Sequence, residues 1–294
     1  MPRCSHHPPA TAYSITNRGT GVRLEGYNAQ KATFSSTINI KQIGHALLTI
    51  PSPEPTKKET YLITLPSLHI EGLVFGSPFI ELDGASFITS STGYTAKLDY
   101  SGRGWLSGKK NSVTATLYPT GREKEVLYNI TGVWTKKFDM YSGPAKQNSS
   151  STLVGSWDAA ASPTTQLTVA PIEAQHPLES RRAWAGVAAG IAKGDMDAVG
   201  VEKGKIEKAQ REARAREAAE GLAWERRYFT AAVPPDAALE ALGAKVGLAT
   251  HGDADRTGGL WRFDEAKADK VREEKLGEKE AAALAAELLG QTTL

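Results

Sequence analysis

From residue 11 to residue 133 the chain repeats one pattern: short runs in which apolar and polar residues alternate, most of them closed by a turn-forming cluster. Ala32, Phe34, Ile38 and Ile40 alternate with Thr33, Ser35, Thr37, Asn39 and Lys41, with one break at Ser36. A period of two sends successive side chains to opposite faces, which an extended strand does and a helix does not. Comparable runs lie at 11–16, 22–27, 46–50, 60–64, 79–82, 87–90, 94–100, 112–118 and 126–133. Asn17-Arg18-Gly19, Asp83-Gly84, Ser91-Thr92-Gly93 and Ser101-Gly102-Arg103-Gly104 supply turn chemistry between them, and residues 51–58 suit an exposed hairpin loop. The pattern predicts a large, curved, antiparallel sheet over residues 10 to about 160 that closes into a barrel. A barrel of more than about eight strands can enclose a ligand instead of filling itself with side chains.

After the polar loop at 142–151 the periodicity changes. His176-Pro177-Leu178-Glu179-Ser180 opens a helix that runs to Lys193-Gly194. A second helix spans 195–220, supported by the i, i+4 pairs Glu207–Arg211 and Glu212–Arg216 and ended by Gly221. A short helix is expected at 235–246, a loop at 251–259 and a charged helix from about 265 to 289. The fold class is therefore α+β: one domain over 1–294, with a β part at 1–160 and a helical part at 161–294.

Composition removes several function classes. A net charge of +2 gives no case for nucleic acid. The single cysteine, Cys4, cannot form an intramolecular disulfide, which suits a reducing cytosol. No apolar stretch approaches the roughly 20 residues of a transmembrane helix, so any work on membranes is peripheral. The triplets Asn129-Ile130-Thr131 and Asn148-Ser149-Ser150 read as chance glycosylation matches. There is no Gly-x-Ser-x-Gly elbow, Walker loop or His-Glu-x-x-His helix. Cys4, His6 and His7 have no distant ligand pair to complete a metal site, and His45, His69, His176 and His251 stand singly as structural histidines.

Three local patterns remain, each with a plainer reading beside it. In Ser5-His6-His7-Pro8-Pro9 the prolines force a bend that can turn both imidazoles towards one phosphate; the plainer reading is a strand-entry loop. Lys203, Glu207 and Arg211 share one helical face and could clamp a phosphorylated headgroup, or could form a solvated charged face. Asn28, Lys31, Lys41 and Gln42 place amides where a buried hydroxyl would need partners, or are ordinary strand-edge polarity.

Taken in order, these segments resemble the ligand-binding domain of the oxysterol-binding protein family, and its short fungal members most. The fingerprint Glu-Gln-Val-Ser-His-His-Pro-Pro is kept as Ser5 to Pro9, its first three residues standing here as Pro2-Arg3-Cys4. The match continues through Gly26-Tyr27-Asn28, Leu68-His69-Ile70-Glu71-Gly72, Ser90-Ser91-Thr92-Gly93-Tyr94 and Ser101-Gly102-Arg103-Gly104-Trp105. It extends to His176-Pro177-Leu178-Glu179-Ser180-Arg181, Trp224-Glu225-Arg226-Arg227-Tyr228-Phe229 and Trp261-Arg262-Phe263. The resemblance implies a barrel around a hydrophobic tunnel. His6, His7, Lys31, Lys203, Glu207 and Arg211 would bind a phosphatidylinositol 4-phosphate headgroup, and Asn28 and Gln42 a sterol hydroxyl. It also implies that the family's lid and the elements before it would precede residue 1, so the chain reads as N-terminally truncated. No cofactor, metal or catalysis is implied. The expected partners are sterol, phosphatidylinositol 4-phosphate and membrane surfaces. The expected place is the cytoplasm, peripheral on organelle membranes such as the Golgi and endoplasmic reticulum. The function so implied is exchange of the two lipids between membranes. The alternatives are a non-transporting phosphoinositide sensor or scaffold and, more remotely, a hydrolase using the histidine pair.

Overall fold

A computed structural model describes residues 10–34, 37–52, 54, 58–73, 76–102, 109–144, 151–222, 224–232, 237–248 and 260–291. His6, His7, Cys4 and the expected loop at 251–259 lie outside the described residues. The chain divides into two compact units: Pro2–Thr164 with Phe229–Asp264, and Thr165–Tyr228 with Glu265–Leu294.

The first unit is built on an eleven-stranded antiparallel sheet. Its strands are β1 (Ala10–Thr16), β2 (Arg23–Phe34), β3 (Ile38–Pro51), β4 (Lys58–Thr64), β5 (Ser67–Glu71) and β6 (Phe79–Ser90). They continue with β7 (Tyr94–Ser101), β8 (Ser112–Pro119), β9 (Tyr128–Val133), β10 (Lys137–Ser142) and β11 (Leu153–Asp158). Each pairs with its neighbours in chain order, except that β4 and β5 each bridge β3 and β6. The alternation over 32–41 belongs to two long strands, β2 and β3, with Phe34 opposite Ile38, Lys31 opposite Lys41 and Asn28 opposite Gly44. Asp83-Gly84, expected as a turn, instead lies inside β6. Gly84 takes a left-handed φ of 77°, and there β6 exchanges β5 for β7 as a partner. A positive φ next to continuing alternation bends a strand without reversing it.

One face of β2, β3 and β4 carries Tyr27, His45 and Thr64 in one cross-strand row and Leu47 and Leu62 in the next, all buried. Ala29 and Ile43 cluster with Ala10 on the same face. A small antiparallel pair, β12 (Phe229–Ala232) and β13 (Leu260–Phe263), packs here, and the helix α4 (Ala237–Ala244) packs on β4. Arg262 Nη1 lies 3.2 Å from His45 Nε2, and the Arg23 guanidinium lies 5.2 Å from the Phe263 ring centre. Burying side chains such as Tyr27, Leu47 and Leu62 stabilises this layer by roughly 1.5–3 kcal/mol each. Gly44 is required where it stands: its φ is 116°, and a Cβ there would meet the Tyr27 carbonyl oxygen at 2.1 Å. Asn129 is buried in β9, so its glycosylation triplet is inaccessible in the folded sheet.

The second unit is helical. α1 (Ser180–Ala183) and α2 (Ala185–Lys193) are offset at Trp184, and Gly194 closes α2 in the left-handed conformation. α3 (Met196–Glu220) starts where Asp195 caps the Ala198 N–H and ends at Gly221, as expected. The expected charged helix from 265 to 289 is two helices, α5 (Glu265–Glu273) and α6 (Glu278–Leu289), because Gly277 interrupts the chain as the N-cap of α6. Ile206 of α3 packs with Ala183, Val187, Ala285 and Leu289, the alanines letting the helices approach closely. The ion pairs also differ from expectation. Glu207 pairs with Lys203, and Arg216 reaches Glu287 of α6.

His176 is a structural histidine of this unit. Its Nδ1 accepts the Leu178 N–H at 3.2 Å, and its Nε2 lies 3.1 Å from Arg227 Nη1, itself paired with Glu274. Burial, and then the Arg227 charge, push its pKa below the ordinary histidine value, against the pull of Glu274 and Glu179. The unfolded chain would take up this proton below about pH 6.5, while the folded chain resists it. The stability gained from a neutral His176 is therefore complete above that pH and is lost as pH falls towards the depressed folded value. Thermal unfolding at pH 7 and pH 5 should show a larger acid-induced fall in Tm for the parent chain than for His176→Asn. Asparagine can still accept the Leu178 N–H and does not titrate; equal falls would remove the histidine as a cause.

Candidate functional site

On the sheet, Asn28 and Gln42 form a relay whose direction can be deduced. The Pro66 carbonyl can only accept, and Gln42 Nε2 donates to it at 2.7 Å. Gln42 must then present Oε1 to Asn28, whose Nδ2 donates at 2.8 Å. This leaves Asn28 Oδ1 as an acceptor with no hydrogen bond among the described residues, on a half-buried side chain. Gly44 lies directly opposite Asn28 in the register. With no side chain there, the Asn28 amide reaches diagonally to Gln42.

Two apolar rows continue along the same face. Ala32, Ile40, Leu68 and Leu82 are cross-strand neighbours, and so are Phe34, Ile38, Ile70 and Ile80. Phe34 is 79% exposed and Ile80 51%. From Asn28 to Phe34 the strand rises about 20 Å at roughly 3.3 Å per residue. The surface thus offers one oriented hydroxyl acceptor and then a long apolar wall. That arrangement suits an elongated, rigid hydrocarbon with one polar end.

Lys31 does not belong to this face. It stands three residues from Asn28 on an uninterrupted strand, so it points to the other side of the sheet. The sequence grouping of Asn28, Lys31, Lys41 and Gln42 therefore separates into two amides on one face and two lysines on the other. Lys31 and Lys41 are exposed and directly opposite one another. Pro66, whose carbonyl orients the relay, carried no sequence signal, because its contribution is a backbone atom.

In the helical unit, Lys203, Glu207 and Arg211 lie on the solvent side of α3, away from buried Ile206, Ala209 and Ala213. Lys203 Nζ donates to Glu207 Oε1 at 2.6 Å. Every other cation of α3 from Lys203 to Arg216 has an acidic partner, whereas Arg211 makes no ion pair or hydrogen bond among the described residues. An exposed guanidinium without an acid keeps all its donors for an anion. No helix among the described residues is long and apolar enough to cross a membrane.

Comparison with known proteins supplies context for this geometry. The family model for oxysterol-binding protein matches residues 2–265. Protein KES1 of Mycosarcoma maydis is 44% identical over 218 residues, covering 74% of this chain and 55% of that protein. Protein kes1 of Schizosaccharomyces pombe is 43% identical over 230 residues, 76% of this chain and 57% of that protein. The chain thus spans a little over half the length of these relatives. Among solved structures, the Osh1 ORD domain in complex with ergosterol superimposes with a TM-score of 0.67 at 16% identity, covering 94% of this chain and 66% of that one. The Osh3 ORD in complex with PI(4)P from Saccharomyces cerevisiae gives a TM-score of 0.56 at 18% identity, covering 78% and 60%. At these identities the superpositions establish a shared fold.

Proposed function

Because this chain belongs to the oxysterol-binding protein family, we propose that it is a lipid-binding, lipid-transfer module that exchanges a sterol for phosphatidylinositol 4-phosphate between organelle membranes. The observation that carries the reading is the oriented relay from Pro66 through Gln42 to Asn28, set at the end of two apolar rows. A sterol has the matching chemistry, one hydroxyl on a stiff hydrocarbon body. The headgroup-binding residues we assign are His6, His7, Lys31, Lys203, Glu207 and Arg211, and the sterol-hydroxyl residues are Asn28 and Gln42. The ligand-bound Osh1 and Osh3 relatives of the same fold support the two lipid classes.

No bond is made or broken in this function. A sterol leaving a bilayer exposes apolar surface at a cost of about 25 cal/mol for each Å². A protein wall that covers the surface during transit lowers that barrier. Because the carrier binds both lipids, direction comes from the lipid gradients and not from the protein.

The test is transfer of a fluorescent sterol between liposomes by the 294-residue chain. Sterol should leave donor vesicles faster when the acceptors contain phosphatidylinositol 4-phosphate, and that lipid should appear in the donors. Recruitment to the phosphoinositide vesicles without extraction of either lipid would identify a non-transporting sensor and overturn the exchange reading.

A further inference from the structure

Lys31 and Lys41 are cross-strand partners on one face of the β2–β3 pair, both exposed. Directly opposed residues in such a pair have Cβ atoms about 5 Å apart, and like charges there destabilise the sheet. The arrangement normally carries a neutralising acid, yet neither lysine makes an ion pair or hydrogen bond among the described residues. On β6, Asp83 faces Ser67 of β5, and its carboxylate lies 3.3 Å from His69 Nε2. Elsewhere on this face Lys97 has Asp99 at 2.8 Å, and Arg23 has Glu25 at 3.1 Å. Among the described residues, the paired lysines are therefore an uncompensated dication on a paired strand.

We propose that Lys31 and Lys41 act together as a clasp for a phosphate monoester, with Lys41 a binding residue that the sequence patterns did not assign. The proposal rests on the assignment of Lys31 to the headgroup and extends it. Phosphate monoesters carry between about −1.5 and −2 at neutral pH. A phosphodiester carries a single negative charge. Two ammonium groups held side by side match the first and overfill the second, so the clasp selects a monoester. Binding also relieves the repulsion between the lysines, an advantage that a lone lysine cannot provide.

Vesicle flotation of the full chain tests this, using neutral vesicles containing phosphatidylinositol 4-phosphate or, at matched charge, phosphatidylserine. Lys41→Ala should weaken binding to the phosphoinositide vesicles about tenfold, as should Lys31→Ala, with an unchanged Tm. Lys97→Ala, which removes an acid-paired lysine of the same face, should not. On phosphatidylserine the three variants should behave alike. Competition separates the source of the phosphate. Soluble inositol 1,4-bisphosphate displacing the parent chain, with inorganic phosphate ineffective, supports a headgroup clasp; displacement by inorganic phosphate alone at the same concentration overturns headgroup recognition. If Lys41→Ala binds like the parent while Lys31→Ala does not, the clasp is overturned and Lys31 keeps its assignment. If neither matters, both fall. An equal loss on phosphatidylserine would reduce the pair to non-specific attraction and overturn the clasp.

Discussion

Arg211→Ala is expected to weaken binding of the chain to phosphatidylinositol 4-phosphate vesicles by about 10- to 100-fold while leaving Tm unchanged. Hydrogen bonds from a charged donor contribute about 1.5–3 kcal/mol each, and every 1.4 kcal/mol is tenfold in affinity. Arg211 can deliver that in full because it makes no ion pair or hydrogen bond among the described residues. Lys203 must share its ammonium with Glu207 at 2.6 Å, and Lys205 with Glu202 at 2.6 Å. Arg214 and Arg216 are engaged by Glu217 and Glu287. Arg211→Lys keeps the charge and loses the two-pronged donor geometry, so its affinity should fall between parent and alanine. Lys205→Ala is the comparison that decides. If it costs as much as Arg211→Ala, the helix attracts anions only through its overall charge, and the specific assignment of Arg211 is lost. Because the side chain is exposed, its removal should change stability by no more than about 0.5 kcal/mol.

The sheet was legible because alternation is a direct consequence of strand geometry, and it shows in β2 and β3 as Ala32 opposite Ile40 and Phe34 opposite Ile38. The same logic failed at Asp83-Gly84. A glycine that bends a strand and a glycine that closes a hairpin look alike in sequence, and only the partners on either side distinguish them. β5 was equally legible, since Ser67-Leu68-His69-Ile70-Glu71 alternates as cleanly as the four- and five-residue runs read as strands, yet it entered the sequence reading only as part of a family motif. On α3 the spacing of Lys203, Glu207 and Arg211 correctly placed them on one face. Yet i, i+4 spacing let Glu207 pair in either direction, and it pairs backwards with Lys203, while Arg211 makes no ion pair or hydrogen bond among the described residues. The split of Asn28 and Gln42 from Lys31 and Lys41 was available from parity alone, since residues three apart on a strand cannot share a face. What no sequence pattern could supply was the Pro66 carbonyl, which gives the amide relay its direction.

That direction makes the final prediction sharp. Asn28→Ala removes the one acceptor that the relay leaves for a ligand hydroxyl. Affinity for a sterol should fall about 5- to 150-fold, the cost of about 1–3 kcal/mol for a buried hydroxyl without a partner. For a sterane of the same shape lacking the hydroxyl, parent and variant should bind alike, because the apolar rows from Ala32–Leu82 to Phe34–Ile80 are untouched. Gln42→Met should show the same pattern through a different route: Asn28 keeps its oxygen but loses the neighbour that orients it, so discrimination between the two ligands narrows without disappearing. Headgroup binding should survive both substitutions, since Lys31 lies on the other face of the sheet. If Asn28→Ala weakens sterol and sterane equally, the amide shapes the wall instead of reading the hydroxyl, and the ligand would have to be selected by its apolar outline alone.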